Sequence, residues 1–169
     1  MTITTHIAAS CLITVFTLSS GLGLTEKVLI LTVGSSLLHF ALDLFPHGFI
    51  ATPVTIFKKP IPTIVELFPG PLILFLTITV FGHAIWFLVA SGFGLIPDIL
   101  TTFLLRFERL AEKVPLLTFF HKLHRKVHWF ETDMPDGKII LHLPNYPLLA
   151  VEGVIMTGIV VTLFNQPPF

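Results

Sequence analysis

Charged residues are scarce in this sequence. They make up 12% of its 169 residues, whereas a soluble domain carries about 25%. The chain therefore has too little polar surface to cover a water-soluble globule, and its mean hydropathy of +0.89 agrees with this. We expect an integral protein of the cell membrane that is in contact with membrane lipid.

An excess of positive charge and paired cysteines are also missing. Ten basic residues balance ten acidic ones, so the formal net charge is zero. Binding to a phosphate backbone requires a basic footprint, and we therefore expect no nucleic acid partner. Cys11 is the single cysteine, which excludes an intrachain disulfide and predicts a small buried side chain.

Long apolar runs fill most of the chain. At about 20 residues per span, a single membrane domain over residues 1–169 has room for about four spans. The predicted spans are a first helix from Ile7 to Leu24, a second from Thr25 to Phe45, the uncharged run from Leu67 to Pro97, and a last one from Pro147 to Phe164. No basic residue precedes the first helix, so we expect it to be retained rather than removed as a secretory signal. The predicted fold class is all-α, a multi-pass membrane helical bundle.

Two segments interrupt these runs. Residues 46–71 contain six prolines and favour a turn-rich segment at the membrane interface. Residues 98–146 form a polar insertion that carries most of the charge. Within it, the pattern near 115–130 predicts an interfacial amphipathic helix. Its helical wheel separates an apolar stripe from a histidine row (His121, His124, His128) and a basic row (Lys122, Arg125, Lys126).

Histidines and aspartates within so apolar a chain are candidates for function, because an ionisable group at membrane depth is costly unless it is paired, solvated or bound to a metal. His39 and Asp43 are four residues apart, so a helix presents both on one face. That spacing suits one metal ion, and His47 could reach the same site from the turn at Pro46. The alternative is a hydrogen-bonded pair at a buried helix end.

A second pair with helical spacing lies in the predicted interfacial helix. His124 and His128 have the separation with which zincin helices present two imidazoles to one ion. The alternative is a basic amphipathic helix whose histidines lie at the boundary between its apolar and basic faces and bind no metal. His with Asp is a preferred ligand set for zinc, with manganese or iron as further candidates.

Four short motifs in this order resemble those of the membrane-bound metal-dependent hydrolases. They are Thr5-His6, the block His39-x-x-x-Asp43-x-x-Pro46-His47, Pro97-Asp98, and the histidine cluster that begins at His121. The resemblance covers about residues 4–130. It implies that His6, His39, Asp43, Asp98, His124 and His128 are metal ligands, with His47 and His121 as further members.

The resemblance implies metal-assisted hydrolysis, and a site at the membrane surface favours a lipid or a lipid-linked ester or phosphoester as the substrate. Asp98 or Asp43 would orient or deprotonate the attacking water, and Arg125 and Lys126 could face an anionic head group. Two other functions stay open from the residues alone. One is a structural membrane protein, in which Asp98 is only a helix N-cap. The other is a protein that binds a metal or a haem, the haem held between His39 and His83.

Four simple crossings would separate the candidate ligands. His6, His39 and Asp43 would lie near one membrane face, whereas Asp98 would end a span on the opposite face. Their convergence requires a broken or re-entrant element, for which the proline-rich segment and the glycines Gly82, Gly92 and Gly94 are candidates.

Overall fold

The helices of the protein follow one another with few intervening strands. The structure is a computed structural model that describes residues 3–45, 55–56, 59–60, 68–106, 114–127, 131–133, 139–141 and 145–168. Its helical elements are α1 (Ile3–Ser19), α2 (Leu24–Leu29), a π-helical turn (Ile30–Gly34), α3 (Ser35–Asp43), α4 (Pro69–Phe81), α5 (Ala84–Arg106), α6 (Pro115–Val127) and α7 (Asn145–Phe164). Two short antiparallel pairs join β1 (Thr55–Ile56) to β2 (Lys59–Pro60) and β3 (Glu131–Asp133) to β4 (Ile139–Leu141). The predicted all-α class is confirmed for these residues.

Helix α1 is the central element. It packs against α3, α4, α5 and α7, and every side chain from Thr4 to Cys11 is buried. A helix with neighbours on all sides must carry apolar or small side chains around its whole circumference. The segment Ala8-Ala9-Ser10 meets this requirement, because its short side chains let the surrounding helices approach closely.

Two of the neighbours run antiparallel to α1. His6 near the start of α1 lies beside Asp43 at the end of α3, and Ile13 further along α1 lies beside Gly34 just before α3. Helix α5 passes α1 in the same antiparallel sense, with Gly94 packed against the side chain of Ser10.

The other two neighbours run parallel to α1. Gly70 at the start of α4 lies against Thr4, and Glu152 in the first half of α7 accepts a hydrogen bond from Thr5. One end of the bundle therefore collects the starts of α1, α4 and α7 together with the end of α3. An apolar cluster extends along α1 from Ile7 to Val15 and includes Phe87 and Leu163.

The uncharged run from Leu67 to Pro97 is not one span, and this corrects the sequence-based prediction. Helix α4 ends at Phe81, and the chain reverses at Gly82 and His83, whose φ angles are 70° and 53°. A positive φ is readily adopted by glycine and interrupts a right-handed helix. The prediction that Pro97 closes the span is also wrong, because α5 continues through Pro97 to Arg106.

The first two helices differ from the predicted ones at their ends. Helix α1 ends at Ser19 instead of Leu24. Helix α2 starts at Leu24, one residue before the predicted start at Thr25. The π-helical turn joins α2 to α3 without a break, so that the helix from Leu24 to Asp43 is continuous.

Leu24–Asp43 is, within the described part of the chain, the one helix long and apolar enough to cross a membrane by length and composition. Shorter apolar helical segments cover Ile3–Ser19, Pro69–Phe81, Ala84–Leu100 and Ala150–Phe164. The coarse prediction of a membrane helix therefore has support, whereas the number of spans stays a prediction.

Because α5 lies close to α1 at Gly94, a large side chain at this position should reduce the stability of the protein. A Cβ atom at Gly94 would overlap Oγ of Ser10, whereas a Cβ at Gly92 meets nothing within 4 Å. We expect Gly94→Leu to destabilise the protein by about 1–3 kcal/mol, because overpacking pushes the two helices apart. Gly92→Leu is the matched control, and thermal unfolding in detergent measures both. Equal melting temperatures for the two variants would contradict the close helix contact.

Candidate metal centre

His39 and Asp43 form the first part of the candidate site. Both lie on α3 at the i, i+4 spacing that places them on one helix face. Nε2 of His39 is 3.0 Å from Oδ2 of Asp43, and both side chains are buried. The face they share points into the bundle, so the sequence spacing and the burial agree.

His6 completes the buried part of the site from a different helix. Its Nε2 lies 3.2 Å from Oδ1 of Asp43, so that each oxygen of this carboxylate faces one imidazole. The rings of His6 and His39 stack with their centroids 3.9 Å apart and an angle of 24° between their planes. One carboxylate and two imidazoles therefore converge at the end of the bundle where α1 starts and α3 ends.

Asp98 approaches the same group from α5. Its Oδ1 lies 3.6 Å from Nε2 of His39, and 31% of its side chain is exposed. The break at Gly82 and His83 explains this position, because it folds the uncharged run into two helices and returns α5 to the end where α1 begins. Asp98 lies inside α5, so the alternative that it acts as a helix N-cap is wrong.

The buried residues fit a metal ion. One ligand atom from each of His6, His39 and Asp43 lies within 4.8 Å of the other two, which suits a shared ion with bonds of about 2.0–2.2 Å. Two imidazoles and a carboxylate are ligands of zinc, manganese or iron. Both ring nitrogens of His6 are buried and make no hydrogen bond of good geometry among the described residues. A bound ion would satisfy one of them, and the three residues could hold a metal ion.

The charges of the site also suit a divalent cation. Asp43 and Asp98 bring two carboxylates to His39. Two positive imidazolium rings stacked at 3.9 Å would repel each other strongly at low dielectric. One divalent cation would balance the charges of both carboxylates, and a histidine binds a metal through its neutral imidazole.

The other predicted ligands are not placed at this site by the described part of the structure. His47 and His128 lie outside the described residues. His121 and His124 are on α6, for which the structure describes the backbone at these two positions. Their predicted part in metal binding stays a prediction.

The predicted haem site between His39 and His83 is wrong. His83 directly precedes α5, and Asp98, which contacts His39, lies 15 residues further along the chain, on α5. At 1.5 Å per residue this places His83 about 22 Å from the position on α5 that contacts His39. Axial ligands of one haem must lie on opposite sides of a single iron atom, which is far closer than that.

A second buried carboxylate is hydrogen-bonded to the part of α1 that carries His6. Glu152 of α7 is buried and accepts a hydrogen bond of 3.0 Å from Oγ1 of Thr5. Thr5 directly precedes His6, so this bond ties α7 to the turn of α1 that carries His6. Sequence spacing could not reveal it, because the partners are 147 residues apart.

Comparison of the chain with models of protein families, with curated proteins and with solved structures finds no match. Function is therefore inferred from the geometry of the site, and the resemblance to membrane-bound metal-dependent hydrolases stays a prediction.

Proposed function

We propose that this protein is a multi-pass membrane protein that binds one divalent metal ion through His6, His39 and Asp43 and hydrolyses a lipid or a lipid-linked ester or phosphoester. The observation that carries this proposal is the convergence of these three buried side chains, with the carboxylate of Asp98 beside them. Zinc is the first candidate, and manganese and iron are the others.

The outer surface of the bundle supports a membrane location. A soluble monomer rarely exposes a large contiguous apolar patch, yet large apolar side chains are exposed on helices all along the chain. Examples are Phe16, Leu37, Phe75, Ile85, Ile99 and Val154. The buried interior, in contrast, holds many polar side chains, such as Thr14, Ser35 and Thr77. Apolar side chains outside and polar contacts between helices are the arrangement expected in lipid.

Each residue of the site has a distinct role in the proposed reaction. His6, His39 and Asp43 would hold the ion, which would lower the pKa of a bound water and polarise the scissile oxygen. Asp98 accepts the proton that the attacking water loses as its oxygen bonds to the phosphorus or carbonyl carbon. The bond from that phosphorus or carbon to the leaving-group oxygen breaks, and the protonated Asp98 returns its proton to this oxygen, which completes the hydrolysis.

The exposure of Asp98 favours catalysis over storage of a metal. Structural metal sites are closed by protein ligands on all sides, whereas catalytic sites keep one position open for water or substrate. His6, His39 and Asp43 are buried, whereas 31% of the Asp98 side chain is exposed. The site is thus accessible on the side of Asp98, the proposed proton acceptor.

Helix α6 supports a lipid substrate. It packs on α5 and α3, the two helices that carry Asp98, His39 and Asp43. Its exposed residues include Leu116 and Phe119 as well as Lys122 and Lys126. Apolar side chains that enter the acyl region and lysines that reach head groups are typical of a helix at a membrane interface.

Metal removal tests the proposed function. The protein is purified in detergent, its metal is measured by elemental analysis, and hydrolysis of a panel of phospholipids and acyl esters is followed by mass spectrometry. We expect about one equivalent of metal per chain. A chelator should abolish turnover, and Zn²⁺ should restore it.

The possible outcomes separate the proposed function from its alternatives. Bound metal without turnover on any substrate would indicate a metal-binding protein that is not a hydrolase. A protein without metal, unchanged by the chelator, would overturn the proposal in favour of a structural membrane protein.

A further inference from the structure

We infer that Ser36 is a positioning residue, which holds the Asp98 carboxylate beside the metal centre. Its hydroxyl binds a backbone carbonyl that, because of Pro97, has no N–H donor four residues later in its own helix. This inference depends on the proposed function. It concerns the hydroxyl of Ser36 on α3 and the carbonyl of Phe93 on α5, which are 3.0 Å apart.

Pro97 creates the acceptor. In an α-helix the carbonyl of residue 93 would accept the N–H of residue 97. Proline has no N–H, and its ring pushes away the carbonyl four residues earlier, so a helix with an internal proline leaves that carbonyl for another donor. Pro97 lies inside α5, and the hydroxyl of Ser36 donates to the carbonyl of Phe93 from the neighbouring helix.

The position of this bond links it to the site. Ser36 lies three residues before His39 on α3, and Asp98 directly follows Pro97 on α5. The hydrogen bond therefore sets the register of the two helices about one turn away from the 3.6 Å contact between His39 and Asp98. A small slide of α5 along α3 would move the Asp98 carboxylate while His6, His39 and Asp43, which lie on α1 and α3, stay together.

The Ser36 hydroxyl also has an acceptor on its own helix. Its Oγ is 3.2 Å from the carbonyl of Thr32, and a hydroxyl has one proton to donate. The bond to Phe93 is the shorter of the two and crosses between helices. Loss of the Ser36 hydroxyl therefore removes a hydrogen bond between α3 and α5, whereas the backbone hydrogen bonds within α3 are kept.

The first part of the test compares Ser36→Ala with Ser36→Thr. We expect Ser36→Ala to keep the wild-type metal content and KM for a lipid substrate and to lower kcat about tenfold, because the Asp98 carboxylate is displaced. Ser36→Thr retains a hydroxyl and should restore kcat. Ser35→Ala is the matched control, since the buried Ser35 hydroxyl makes no hydrogen bond in the described structure.

The second part uses Pro97→Ala, which supplies an N–H to the carbonyl of Phe93. Because this N–H competes with Ser36, Pro97→Ala should lower kcat as Ser36→Ala does, while the melting temperature stays the same or rises. Ser36→Ala alone should lower the melting temperature by about 2–6 °C, and this shift should vanish in the Pro97→Ala background. If the role of Ser36 were purely structural, Pro97→Ala would not lower kcat while the melting temperature stays the same or rises.

The results decide the two proposals separately. If the wild-type protein binds metal and hydrolyses its substrate, but kcat is unchanged in Ser36→Ala or Pro97→Ala, the inference about Ser36 is overturned and the proposed function is not. The same holds if Ser36→Ala shifts the melting temperature equally in both backgrounds. If Ser36→Ala does not fold, kcat of Pro97→Ala decides by itself. A wild-type protein without metal or turnover overturns the proposed function, and the role of Ser36 with it.

Discussion

Replacing Asp43 with asparagine is expected to abolish the proposed metal binding. Each oxygen of the Asp43 carboxylate faces one imidazole, at 3.2 Å for His6 and 3.0 Å for His39, so this residue joins the two histidines into one site. An amide cannot supply the negative charge, and its NH₂ group would face the nitrogen of one histidine. Changes in residues that only support metal ligands lower metal affinity about 10–100-fold, and we expect loss of this ligand to exceed that range.

Elemental analysis of purified Asp43→Asn beside the wild type measures the effect, and Glu152→Gln is the matched control. Glu152 is also a buried carboxylate at this end of the bundle, where it accepts a hydrogen bond from Thr5, but it does not belong to the group formed by His6, His39 and Asp43. We expect the control to keep its metal. Equal metal content in Asp43→Asn and the wild type would remove Asp43 from the site, and equal loss in both variants would show that any buried carboxylate has this effect.

Asparagine at position 98 is expected to abolish most turnover and leave the metal in place. The Asp98 carboxylate lies 3.6 Å from His39 on the accessible side of the site, where it can accept the proton of the attacking water. Removal of a general base lowers rates by about 10²–10⁴-fold. The three proposed ligands, His6, His39 and Asp43, are unchanged in this variant, so we expect about the wild-type metal content.

Steady-state kinetics and elemental analysis on the same preparation test this separation of roles. Glu26→Gln is a suitable control, because Glu26 is exposed at the start of α2, at the opposite end of the α2–α3 helix from Asp43. The limb of the pH–rate profile that reports the general base should also be absent in Asp98→Asn. If the metal is lost with the Asp98 carboxylate, this residue is a ligand, and unchanged turnover would exclude it from catalysis.

Local spacing in the sequence predicted part of the site. The i, i+4 interval of His39 and Asp43 requires only that their segment be a helix, and a helix that ends near Pro46 follows from composition. The same reasoning could not decide between a hydrogen-bonded pair and a metal site. That choice depends on a third group, His6, which lies on another helix and has no fixed sequence distance from the pair.

The predicted topology is wrong at the turn formed by Gly82 and His83. An uncharged run of about 30 residues satisfies the length of a membrane span, so periodicity and hydropathy favoured a single helix from Leu67 to Pro97. Gly82 was one of several glycines that could break it. The positive φ angles at Gly82 and His83 divide the run into α4 and α5, and this division brings Asp98 back to His39.

The amino-acid sequence by itself determined that the chain is apolar and helical and that His39 and Asp43 share a face, because composition and helical periodicity are local properties. The tertiary structure decided that His6 and Asp98 join that pair and that Ser36 binds the carbonyl of Phe93. Contacts between helices depend on chain reversals and on the packing of small residues such as Gly94 against Ser10. Neither is encoded in the periodicity of any one segment.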